Sequence, residues 1–372
     1  VPPAPSLEGI PFVDAHAHPP LLERPRSPEG WWSHWFEGEA VDAARAAHLS
    51  ANRWALVQLA EWLGCEPLVD DVVATTDRIG QAGLLAALGS LGVHGLVLDT
   101  GHPAPALTWS APAVAAATGM QVAPLLRIET LAEELVAAGG SFDDVVDAFD
   151  ATVASARGDG FVGLKSIIAY RSGLAVGQPT PAEARAAHAA HVRGGVPRLV
   201  AKDLLDFLLV RALRAAREHR LPVQVHAGTG DRDLDLVLGN PALLRGLLES
   251  GAADGVAIVL LHGAFPYTAE AALLASVHRD VHVDVSACIP PHGRPVLLDM
   301  WRVVLAVAPL DRIEASSDAT GLPEQIAVAS MRVRDTLGEA LAELVQARTT
   351  TAAEAERTAT GILGGTAREL YR

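Results

Sequence analysis

Ile10-Pro-Phe-Val-Asp-Ala-His-Ala-His18 is a short apolar run that ends in two histidines. An extended backbone turns successive side chains to opposite faces, so His16 and His18 share one face. Two neutral imidazoles at i and i+2 supply half of a divalent-metal site. Working outward, the same arrangement recurs. Apolar runs of strand length lie at 92–99, 120–127, 161–167, 221–226, 256–262, 281–286 and 312–317, most of them closing on a polar residue. Helical patterns separate them. Eight evenly spaced strand signals with helices between predict one (β/α)8 TIM barrel over residues 1–372 rather than a doubly wound sheet. Helical and loop insertions are expected at 19–90 and 178–220, bordering the site.

The helical patterns run over 39–64 with Gly64 as a stop, 68–88, one long segment at 130–157, 180–220 and 323–371. Thr180-Pro181 opens the fourth in cap-then-proline fashion, and Gly194-Gly195 with Pro197 divides it.

Composition narrows the function classes. The 372 residues are 50% hydrophobic and 20% charged, enough for a large core. Lys plus Arg number 29 against 44 Asp plus Glu, a net charge of -15, which disfavours a nucleic-acid partner. Cys65 and Cys288 make neither a disulfide scaffold nor a Cys-rich zinc module. Every long apolar stretch is broken before 18 residues, so no membrane span is expected. The first residues, Val-Pro-Pro-Ala-Pro-Ser, lack the pattern of a signal peptide. A soluble cytoplasmic protein is the expectation, with a homo-oligomer allowed.

In barrels of this kind the C-terminal strand ends surround the active site. Those ends carry His16, His18, Lys165, His226, His262 and Asp318. Singly, His226 and His262 read as polar caps on buried strands and Asp318 as a helix N-cap. Together, four histidines and an aspartate at the same ends of four strands read as a metal site. Arg127 and Asp99 are second-rank candidates. Arg127 either clamps a carboxylate or pairs with Glu129 or Asp99. Trp31, Trp32 and Trp35 form either a satellite core or, with Tyr170, the apolar wall of a pocket. His34, His94, His102, His188, His191 and His219 read as surface residues. His278 and His282 read as bystanders, whereas His292 borders the expected pocket.

This set resembles the amidohydrolase superfamily, metal-dependent enzymes on a distorted (β/α)8 barrel. Gly163-Leu-Lys-Ser-Ile-Ile-Ala-Tyr-Arg-Ser-Gly173, Val225-His-Ala-Gly228 and Leu261-His-Gly-Ala-Phe-Pro266 are similar to its amidohydrolase 2 branch, in the subgroup of FluG-type and nodulin-like proteins. The resemblance implies one zinc or manganese ion held by His16, His18, His226 and Asp318. It also implies Asp318 as acid–base, with His262 steadying an oxyanion. Lys165 then has two readings. Carbamylated, it bridges two ions. Protonated, the preferred reading, it holds a substrate carboxylate with Tyr170 and Arg171. The expected reaction is hydrolysis of a C–N bond in a small carboxylated amide, such as a γ-glutamyl amide. The alternative, also implied by the branch, is non-oxidative decarboxylation of an aromatic or unsaturated acid.

Overall fold

The structure is a computed structural model that describes residues 7–36, 40–289 and 292–372. The first residue of the predicted 39–64 helical stretch and the prolines before His292 lie outside the described residues. Eight strands form in the expected places: β1 (Phe12–Ala17), β2 (Val93–Asp99), β3 (Gln121–Arg127), β4 (Gly163–Ser166), β5 (Val223–Val225), β6 (Ile258–Leu260), β7 (Val281–Ser286) and β8 (Ile313–Ser316). They make one sheet in the order β1 to β8. The pairs β1–β2, β3–β4, β4–β5, β5–β6 and β6–β7 are parallel. A parallel sheet in sequence order, with helices in its crossovers, is the (β/α)8 barrel. Seven of the strands are buried along nearly their whole length, β1, β7 and β8 at every position, whereas β3 is buried only at Leu125 and Arg127. β7, Val-His-Val-Asp-Val-Ser, alternates apolar and polar residues although both of its faces are buried, so its polar side chains point into the protein.

The chain divides into two compact units. One comprises Val1–Ala123 and Asp284–Glu369, the other Pro124–Val283 and Leu370–Arg372. In the first, the end of β8 is stitched to the end of β1. Asp318 N–H donates to His16 O at 2.9 Å and His18 N–H to Ala319 O at 2.7 Å, while His18 and Thr320 form a parallel bridge. Helices Ser50–Leu63 and Val69–Ala87 fill the first insertion, behind a 3₁₀ segment at Ala40–His48. Helix Pro323–Gln346 follows β8.

In the second unit the sequence pattern at 130–157 resolves into two helices, Ile128–Ala137 and Phe142–Ser155. Gly139 and Gly140 have φ of 85° and 113°, which a helix cannot contain. Ser141 and Asp144 then restart the helix with a capping box. The second insertion holds Pro181–Gly194, capped by Thr180 and Glu183 with Pro181 in the first turn, and Lys202–His219. No helix among the described residues is long and apolar enough to cross a membrane. Cys65 and Cys288 are free, and burial pushes the Cys288 thiol up to about 12.

Candidate active site

In the first unit, β1 delivers His16 and His18, and the loop after β8 delivers Asp318. His16 Nε2 lies 3.2 Å and His18 Nε2 3.6 Å from the same oxygen, Asp318 Oδ1. The ligand atoms of the three residues all fall within 4.8 Å of one another. A tetrahedral ion with bonds of about 2.0–2.1 Å separates its ligand atoms by roughly 3.3 Å, so these spacings match neighbouring coordination positions. The hydrogen bonds point the same way. His18 Nδ1 lies 2.9 Å from the His102 carbonyl, an acceptor only, so this nitrogen carries the proton. In the neutral ring, Nε2 then turns a lone pair towards a carboxylate oxygen. A cation between them converts that repulsion into two bonds, so the residues fit the metal the family implies.

The backbone at this corner is unusual. Asp318 has φ of 56°, a left-handed conformation that Asp and Asn tolerate better than most side chains. A surrounding set of bonds holds it. Gln325 Oε1 accepts from Thr320 N–H at 2.8 Å, and Gln325 Nε2 donates to His34 O at 2.6 Å. His34 Nδ1 donates in turn to Thr320 O at 3.1 Å. Asp14, buried beneath the histidines, accepts at Oδ1 from Ser317 N–H at 2.8 Å. Burial pushes its carboxyl up to about 7, against the lowering effect of its hydrogen bonds to Ser317 and His16. His292 is fully buried, and burial brings its imidazole down to about 4, so it is neutral near pH 7.

In the second unit, His226 follows β5 and His262 follows β6. His226 Nε2 lies 2.8 Å from Thr229 O, which can only accept, so Nε2 is the protonated nitrogen of the neutral ring. Nδ1 then accepts from His262 Nε2–H at 2.9 Å. His262 has φ of 64°, a second non-glycine residue held left-handed at a strand end. Lys165 and Arg127 are register partners on β4 and β3, so their side chains leave the sheet on the same face. Both are buried. Glu129 lies within the electrostatic reach of Arg127 and accepts from Ser166 Oγ and Ile167 N–H. Burial raises its carboxyl pKa above the ordinary range.

The remaining expected site residues have partners within the protein. The Tyr170 hydroxyl accepts from Asp231 N–H at 3.0 Å, and its ring packs against His226 with centroids 4.6 Å apart. Arg171 Nη2 is paired with Glu133 at 3.1 Å. Trp31 and Trp35 expose no surface and Trp32 only 5%. The three rings pack on one another at 4.9 and 5.0 Å, and the Trp31 indole donates to Glu324. This is the geometry of a satellite core. His102 is exposed, as read, although its carbonyl orients His18, whereas His188, also read as a surface residue, is buried against Phe142. The contributions of His102 and Thr229 come from backbone carbonyls, which carry no sequence signal. Gln325 also escaped the sequence reading, because Leu322 before it has no capping side chain to mark the start of the helix.

Comparison with known proteins gives a consistent result. A stretch of 238 residues, 60% of this chain, is 34% identical to protein fluG of Emericella nidulans. The match takes in 27% of that protein, so this chain spans about a quarter of its curated relative. The structure of a proposed metal-dependent hydrolase from Lactobacillus casei ATCC 334 superposes with a TM-score of 0.89 at 27% identity, covering 99% of this chain and 97% of that one. Uronate isomerase of Thermotoga maritima shares the fold, with a TM-score of 0.68 at 13% identity over 99% of this chain and 96% of that one. The sequence model of the amidohydrolase family, Amidohydro_2, matches residues 13–372. With that match over nearly its whole length, the chain belongs to the amidohydrolase family.

Proposed function

We propose that the protein is a metal-dependent hydrolase that cleaves the C–N bond of a small carboxylated amide, with γ-glutamyl amides as the first class to test. The observation that carries the reading is the convergence of His16 Nε2 and His18 Nε2 on one oxygen of Asp318. These residues would hold a single zinc or manganese ion. His226 is assigned as a further ligand from its place at the end of β5, in line with the family resemblance. When bound, such an ion supplies Lewis acidity and a water acidified towards neutral pH.

The chain's own groups supply the rest. Asp318 takes the proton of the attacking water and returns it to the departing nitrogen. His262 has its proton on Nε2, the correct form to donate to a developing oxyanion once His226 Nδ1 is engaged elsewhere. The adjacent cations Arg127 and Lys165 hold the substrate carboxylate away from the reacting bond. The packed tryptophans remove the feature that suited an aromatic acid, so decarboxylation is kept as an outcome of the test.

The test is turnover of N-acyl and γ-glutamyl amides in ¹⁸O-labelled water, with zinc or manganese and after chelation. Metal-dependent amine release with label in the product carboxylate is expected. Carbon dioxide release without amine would replace hydrolysis by decarboxylation. Lys165→Ala is expected to raise KM at unchanged metal content. Loss of one of two ions in that variant would favour the carbamylated bridge.

A further inference from the structure

The proposed function leaves Tyr170 without its expected place on the substrate, yet three elements converge on it. Its ring lies against His226, 4.6 Å between centroids and 57° between planes. Its hydroxyl accepts from Asp231 N–H at 3.0 Å, in the loop that follows His226. Arg198, from the second insertion, donates to the Tyr170 carbonyl at 2.8 Å and pairs with Asp233 at 2.5 Å. The loop between is shaped around these contacts. A Cβ at Gly230 would lie 2.1 Å from the Tyr170 hydroxyl and 3.1 Å from His226 Nε2, so only glycine fits against the pair. Gly228 has φ of 76°, and a Cβ there would lie 2.2 Å from the Ala264 backbone. Thr229 N–H donates to Phe265 O at 2.6 Å, which anchors the residue whose carbonyl accepts from His226 Nε2.

We infer that Tyr170 is a positioning residue: with the loop Thr229–Asp231 it locks His226 as the Nε2–H tautomer and leaves the Nδ1 lone pair directed away from Thr229. The chemistry is that of a second layer around a ligand. A carbonyl fixes which nitrogen carries the proton, and the tyrosine fixes where that carbonyl stands. The hydroxyl serves as an acceptor from the backbone, a use in which phenylalanine cannot replace it. The inference deepens the proposed function and rests on it, because the Nδ1 that meets His262 Nε2–H in the metal-free protein is the atom through which His226 would hold the ion.

The experiment separates the two. Metal-free protein labelled with ¹⁵N-histidine is examined by long-range ¹H–¹⁵N spectra, with His226 identified by the signals lost in His226→Gln. Wild type should show Nε2 protonated and Nδ1 bare. Tyr170→Phe should move both nitrogens towards averaged tautomers, and Gly230→Ala should move them further. Zn²⁺ titrated into the same proteins should bind about 10-fold more weakly in both variants, the range seen when an outer partner of a metal ligand is lost. The double variant Tyr170→Phe/Gly230→Ala should be less impaired than the product of the single effects, because both act on one contact. Unchanged nitrogen shifts in Tyr170→Phe would overturn the positioning role. Unchanged Zn²⁺ affinity in His226→Gln would instead sink the ligand assignment beneath it, and the spectra would still decide the tautomer question.

Discussion

Asp318 combines two demands that oppose each other at a single residue. Its φ of 56° places it in a conformation that costs of order 1 kcal/mol or more for a non-glycine side chain, and its oxygen faces two imidazole nitrogens. Stability alone would choose glycine here. Chemistry requires a carboxylate. Asparagine retains both the tolerance for this backbone and the shape of the side chain, so Asp318→Asn isolates the charge. We expect this variant to lose about 100-fold or more in turnover, the usual cost of a positioned acid–base group. Its metal-free thermal midpoint should not fall, since the substitution relieves the crowding of acceptors. A large drop in that midpoint would assign Asp318 to folding rather than to chemistry.

Helices and strands were read from the sequence with unequal success, for identifiable reasons. All eight strands were visible as short runs rich in apolar and β-branched residues, with ends displaced by at most two residues. The helical run at 130–157 concealed a break because its apolar spacing resumes after Gly139-Gly140, with Ser141 and Asp144 as the overlooked restart. One helix carries its own pH dependence. Asp206 on Lys202–His219 is 1% exposed and accepts from Gly177 N–H at 2.7 Å and Lys202 Nζ at 2.8 Å. Burial outweighs these partners and raises its pKa above the ordinary value. The folded state therefore holds this proton more tightly than the unfolded chain, whose carboxyl titrates near about 3.9. Any stability linked to it is present below that pH and is lost as pH rises through the folded pKa. Asp206→Asn removes this slope, so the variant should gain in urea midpoint relative to wild type as pH is raised from about 4 towards neutrality. The opposite trend would mean that the bond to Lys202 outweighs burial.

For the whole molecule, the ligand set ties folding to metal. His16 and His18 lie near one end of the sequence and Asp318 about 300 residues further on, so the unfolded chain offers no preassembled site. Zinc at 100 times its dissociation constant should stabilise the fold by about 2.7 kcal/mol. Chelation should accordingly lower the thermal midpoint of wild type by several degrees. In His16→Ala/His18→Ala the midpoint should be indifferent to both metal and chelator, with metal content by elemental analysis reduced in parallel. An unchanged metal content in that variant would defeat the site.

The sequence by itself determined the eight strands, their order and the residues at their ends, because strand-length apolar runs and the polar residues that close most of them are local properties. It also carried the family, through His16, His18, Lys165, His226, His262 and Asp318 taken together. Only the tertiary structure decided what each neighbouring side chain does. Trp31 sits in the core with its indole N–H given to Glu324, almost three hundred residues away, and Trp35 packs against its ring. Arg171 was taken by Glu133 and Tyr170 by the loop at Asp231. The tautomers of His18 and His226 were set by the carbonyls of His102 and Thr229. Such roles depend on distances between segments remote in sequence and on backbone atoms that every residue possesses, so no pattern of side chains can announce them.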